Sequence, residues 1–250
     1  VVERRVPEPV LPLSLFTRRV ILISSLAGAI IGGAMIATLT YVPLFVQGAL
    51  SGSPTDAASA ITPMVVGWPL ASALSGRLIP KVGFRPLILL GLFITSTAGL
   101  ALALFGESHG LGGLRITTAV FGVGMGFTNT ALLIAVQTSV SWEQRGIATA
   151  STMFFRTIGG ALAVGVMGGV LSAALLSDPS IPPDAANQIL SREGASALDP
   201  ALLERLGVVL SLGLQRVFWI IAGMALTAFA ASLWFPKVET QNQKASAKEG

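Results

Sequence analysis

Four stretches of this chain, residues 20–53, 86–106, 116–141 and 217–235, contain no charged residue. Each is long enough to cross a bilayer, because about 20 residues rising 1.5 Å apiece traverse a hydrocarbon layer of about 30 Å. Charged residues make up only 11% of the chain and hydrophobic ones 52%, with a mean hydropathy of +0.76. A soluble domain carries about a quarter charged residues, so this composition cannot cover a water-facing surface. The same numbers exclude a disordered chain, a coiled coil and a disulfide scaffold. The fold class is therefore all-α, a polytopic membrane bundle.

Six spans are expected, near residues 20–50, 57–79, 86–105, 111–140, 146–176 and 212–235, within a transmembrane unit of residues 20–236. Residues 1–19 read as a linker and 237–250 as a tail. Between the last two spans, residues 177–207 read as a turn-rich loop, followed by a short amphipathic helix outside the bilayer that Asp199 caps and Pro200 starts. The chain opens on Val1 and its first residues hold no signal-peptide core, so a piece of a longer protein is expected.

Basic residues give the orientation, because cytoplasmic loops hold the excess of lysine and arginine. An even number of spans puts both termini on one side, with Arg4, Arg5, Arg18, Arg19, Lys237, Lys244 and Lys248. Alternate loops add Arg77, Lys81, Arg85 and Arg145 to that side, against Arg192 and Arg205 on the other. Both termini are thus expected in the cytoplasm of a plasma-membrane protein, with Trp142 and Trp234 at the same interface. The net charge of +4 marks one membrane face and is not a nucleic-acid signal.

Catalytic and metal chemistry find little material. There is no cysteine, and His109, the single histidine, stands in a loop beside Glu107 and Ser108. No metal, cofactor or enzymatic activity is expected. Small residues at helical spacing, Gly28 with Gly32, Gly122 with Gly126 and Gly165 with Gly169, allow close helix approach. Five glycines between residues 159 and 169 suit a moving helix, and Pro43, Pro63 and Pro69 are expected to kink theirs.

Residues 75–86 read Ser-Gly-Arg-Leu-Ile-Pro-Lys-Val-Gly-Phe-Arg-Pro. The run resembles the cytoplasmic loop motif of the major facilitator superfamily, with Gly76, Leu78, Lys81, Gly83 and Arg85 in matching places and Pro80 where the motif has its acid. Residues 143–150 and 155–161 are similar to the corresponding run in the fourteen-span drug:proton antiporters, and residues 7–19 to the linker before their C-terminal six helices. The resemblance implies that this chain is the C-terminal half of a transporter, an efflux antiporter working by alternating access. It further implies the N-terminal half as partner, with the lipid bilayer, a small-molecule substrate and protons. Two other readings stay open: a transporter of one metabolite or nutrient in the same superfamily, and a non-transporting scaffold or isolated half.

None of the six predicted spans holds Asp or Glu, so the proton-coupling acid is expected in the other half. Within them, Arg156 is the leading candidate for a substrate-cavity residue, since an ionisable group at membrane depth costs at least about 2.5–3.5 kcal/mol; snorkelling or a structural pair is its alternative. Arg115 and Arg216 lie nearer span ends. The resemblance implies that the first and fourth helices line a central cavity. The mid-depth residues Thr38, Thr40 and Tyr41 of the first, and Met125, Phe127, Thr128, Asn129 and Thr130 of the fourth, with Gln137 further inward, are therefore candidates to face substrate. Hydrogen bonding within the half is their alternative.

Overall fold

The computed structural model describes residues 13–105, 110–177, 200–236 and 238. Six long helices account for nearly all of them: α1 Arg19–Gly48, α2 Pro54–Val82, α3 Phe84–Phe105, α4 Gly110–Thr138, α5 Arg145–Leu176 and α6 Pro200–Ser232. All six are long and apolar enough to span a membrane. Short 3₁₀ turns, Leu13–Thr17 and Trp142–Gln144, precede α1 and α5.

Local sequence explains the boundaries that differ from expectation. Helix α2 starts at Pro54, before the expected residue 57, because Ser53 forms a capping box. Its Oγ accepts from the Asp56 N–H at 3.1 Å, the Asp56 carboxylate accepts from the Ser53 N–H at 3.0 Å, and Pro54 takes the first helical position. At the other end α2 runs through Pro80 to Val82, so the expected 75–86 loop shrinks to Gly83 between two helices. Gly83 holds φ 88° and ψ 173°, a conformation open essentially to glycine.

Residues 200–207, expected as a separate helix, run without a break into the sixth span. Leu206, Leu210 and Leu214, at four-residue spacing, are all buried and continue the stripe of Phe218 and Ile221, so no register change separates the two parts. Asp199, the rest of the loop from 178, residues 1–12, His109 and nearly all of the tail lie outside the described residues.

The packing has internal symmetry. The heaviest contacts are α2 against α4 and α1 against α5, which exchange when the first three helices are swapped for the last three. The contacts α3–α4 and α6–α1 exchange likewise, while α3–α6 maps onto itself. Glycine makes the two main crossings. A Cβ on Gly126 would stand 2.5 Å from the Trp68 carbonyl oxygen, and one on Gly122 would overlap the Met64 backbone. A Cβ on Gly32 would overlap the Arg156 side chain, and one on Gly159 the Ala29 carbonyl. By contrast Gly28, Gly165 and Gly169 have nothing within 4 Å of that position, so only the Gly122–Gly126 pair is a close-packing face at both positions among the described residues. The result is a bundle in which α1 and α4 are the most buried helices, 61% of their apolar windows each, and α2 and α5 the least, at 22% and 28%.

Candidate functional site

Arg156 stands eleven residues into α5, about 17 Å along its axis and so close to half the thickness of a hydrocarbon layer. Its stem lies along Gly32 of α1. Its guanidinium donates a long hydrogen bond, 3.4 Å, from Nη1 to Asn129 Oδ1 on α4, and lies 5.9 Å from the ring centroid of Trp68 on α2. That distance suits a cation–π contact. Trp68 is the midpoint of α2. Four helices thus converge on one cation, and α1 to α5 contain a single acid, Asp56, engaged in capping the far end of α2.

Beside the guanidinium lies a small cavity, ≈ 30 Å³, between α1, α4 and α5, lined by Ser24, Asn129, Val136, Thr152 and Arg156 among others. Asn129 Nδ2 and Ser24 Oγ are buried without a hydrogen-bond partner among the described residues. Thr152 gives its hydroxyl to the carbonyls of Ala148 and Thr149, at 3.2 and 2.9 Å.

The other candidates separate. Tyr41 is buried and its hydroxyl donates to the Val164 carbonyl at 2.9 Å, tying α1 to α5. Thr38 and Thr128 are buried and donate to carbonyls of their own helices; exposed Thr40 does the same, to Ile36. Met125 and Phe127 are buried in the bundle core, and Thr130 is half-buried. Gln137 donates to the Thr149 hydroxyl at 3.2 Å, one α4–α5 step nearer the helix ends. Arg115 bonds Ser59 of α2 at 2.6 Å through Nη2.

Of the loop-motif residues, Gly76 and Lys81 are exposed and Leu78 is half-buried. Gly83 makes the turn, and Arg85 donates 2.8 Å to the Leu233 carbonyl, fastening α3 to the end of α6. Trp68 and Ser24 escaped the sequence reading. The signal for Trp68, a tryptophan far from either end of its span, was present; Ser24 offered none.

These features can be set against known proteins. The chain is 32% identical over 185 residues to the multidrug transporter protein MdtP of Bacillus subtilis, covering 73% of this chain and 34% of that protein. It is 28% identical over 278 residues to a tetracycline resistance determinant of Streptomyces rimosus, covering 98% and 80%. Among solved structures, the E. coli fucose:proton symporter FucP superposes with a TM-score of 0.67 at 15% identity, over 91% of this chain and 54% of FucP. This chain therefore spans about a third of MdtP and about half of FucP, and its likeness to FucP is one of fold. The profile of the Major Facilitator Superfamily matches residues 2–164, and the chain is a multi-pass membrane protein belonging to that superfamily.

Proposed function

We propose that this chain is the C-terminal six-helix half of a proton-driven transporter that expels drugs or other lipophilic small molecules by alternating access. The observation that carries the reading is the Arg156–Asn129–Trp68 cluster at mid-depth beside a cavity, in a bundle whose relatives include proteins named for multidrug transport and tetracycline resistance. A site at the midplane between two rocking halves is reachable from either side in turn.

The partner half packs on α2 and α5. Their outward faces carry apolar side chains such as Val66, Leu70, Leu162 and Val166, each more than half exposed. Both termini of this chain face the cytoplasm of a plasma-membrane protein, and the α2–α3 turn with Lys81 meets the partner there when the inner gate closes. The coupling carboxylate sits in the partner, because the one acid of α1 to α5, Asp56, is engaged in capping the end of α2.

Reconstituted into vesicles in its full-length form, the protein is expected to move several unrelated lipophilic compounds against their gradients when a pH gradient is imposed, and to stop when a protonophore collapses it. Uptake of one polar solute, with lipophilic compounds neither moved nor competing, defeats the reading.

A further inference from the structure

The cavity beside Arg156 specifies a ligand chemistry, and the argument rests on the efflux reading above. Its free hydrogen-bonding capacity is mostly on the donor side, from Arg156 and Asn129 Nδ2, with the Ser24 hydroxyl able to donate or accept. Asn129 turns its carbonyl to the guanidinium, which leaves Nδ2 unpaired; the Ser24 hydroxyl, on a residue 2% exposed, is also unpaired among the described residues. Arg156 carries five N–H donors and no acceptor, and its polar and aromatic partners among the described residues are one amide oxygen and one indole face. No acid of α1 to α5 is near it, since Asp56 lies at the outer end of α2.

Donors gathered round a fixed positive charge favour an anion. A cation there meets repulsion, and a neutral apolar group leaves buried donors unpaired. Guanidinium matches a carboxylate through two parallel hydrogen bonds. A cavity of ≈ 30 Å³ has room for the acidic head alone, and its remaining wall of Leu132, Leu133, Val136 and Met153 offers an apolar surface along which a hydrocarbon body leaves it. We propose that the transported compounds include amphipathic organic acids, with the carboxylate seated between Arg156, Asn129 and Ser24.

The test uses the full-length protein in lipid nanodiscs and three probes with the same phenylalkyl body: radiolabelled phenylbutyrate, phenylbutylamine and phenylbutanol. Saturable binding is expected to be tightest for phenylbutyrate. R156Q removes the cation, and N129D places a carboxylate beside Arg156 that competes from within; each is expected to weaken phenylbutyrate binding by about tenfold or more and phenylbutanol binding by clearly less. N129D keeps the arginine stem in place, so it reports even where R156Q fails to fold. Phenylbutyrate binding no tighter than phenylbutanol, or undiminished in N129D, overturns the proposal. In vesicles the two readings part: phenylbutyrate binding without gradient-driven movement supports the site and defeats efflux, whereas efflux of the amine or alcohol with no preference for the acid overturns the site and leaves efflux standing.

Discussion

Gly28 and Gly32 occupy equivalent places one helical turn apart on α1, and the structure separates them. At Gly32 an added methyl meets the stem and backbone of Arg156, with the carbonyl oxygen 2.9 Å away, whereas at Gly28 it meets nothing within 4 Å. Overpacking of a close contact costs about 1–3 kcal/mol, and a methyl in open space changes stability by less than about 0.5 kcal/mol. Gly32→Ala is therefore expected to lower the thermal unfolding midpoint of the chain in nanodiscs, and Gly28→Ala to leave it nearly unchanged. Equal shifts in the two variants would show that the α1–α5 crossing is not as close as described. From sequence these glycines are identical, because spacing says which residues share a face but not which neighbour that face meets. Arg156 was legible, since a cation deep in an apolar span is rare for energetic reasons. Its companions Trp68 and Ser24 lie on other helices, with no sequence spacing relative to it.

Within single elements, ends were harder to read than middles. The apolar windows located all six helices, but α2 begins three residues earlier than the window because the Ser53–Asp56 box supplies partners to its first N–H groups. Losing such a cap costs about 1 kcal/mol. Ser53→Ala is expected to speed amide exchange in the first turn of α2 and lower stability by that amount, with Ser53→Thr restoring most of it; exchange unchanged in the alanine variant would rule the box out as a determinant of this end. The signal was in the sequence, as Ser-Pro-Thr-Asp, and was outweighed by a hydropathy criterion that ignores caps. The join of residues 200–207 to the last span is a different case. The turn-rich loop and the Asp199–Pro200 start signal argued for a separate element, while the i, i+4 row of Leu206, Leu210 and Leu214 already contained the continuity.

At the scale of the whole molecule, orientation is the property most directly open to test, since these 250 residues lack cysteine and a thiol introduced among them is read against the unsubstituted protein. With both termini cytoplasmic, a membrane-impermeant maleimide added to intact cells is expected to label T55C, at the exposed start of α2. It should reach K81C and S141C only after permeabilisation. The reverse pattern inverts the proposed topology. The sequence by itself located six segments long and apolar enough to cross a membrane, the uneven spread of basic residues among the loops between them, and the superfamily it resembles. These follow from transfer free energy and loop charge, which depend on composition along one dimension. Only the tertiary structure decided that Trp68, Asn129 and Arg156 meet, that Tyr41 fastens α1 to α5, and that Gly32 and not Gly28 forms the crossing. Those outcomes depend on which helix faces lie against each other, and that is set by the steric fit of glycine surfaces across helices far apart in the chain.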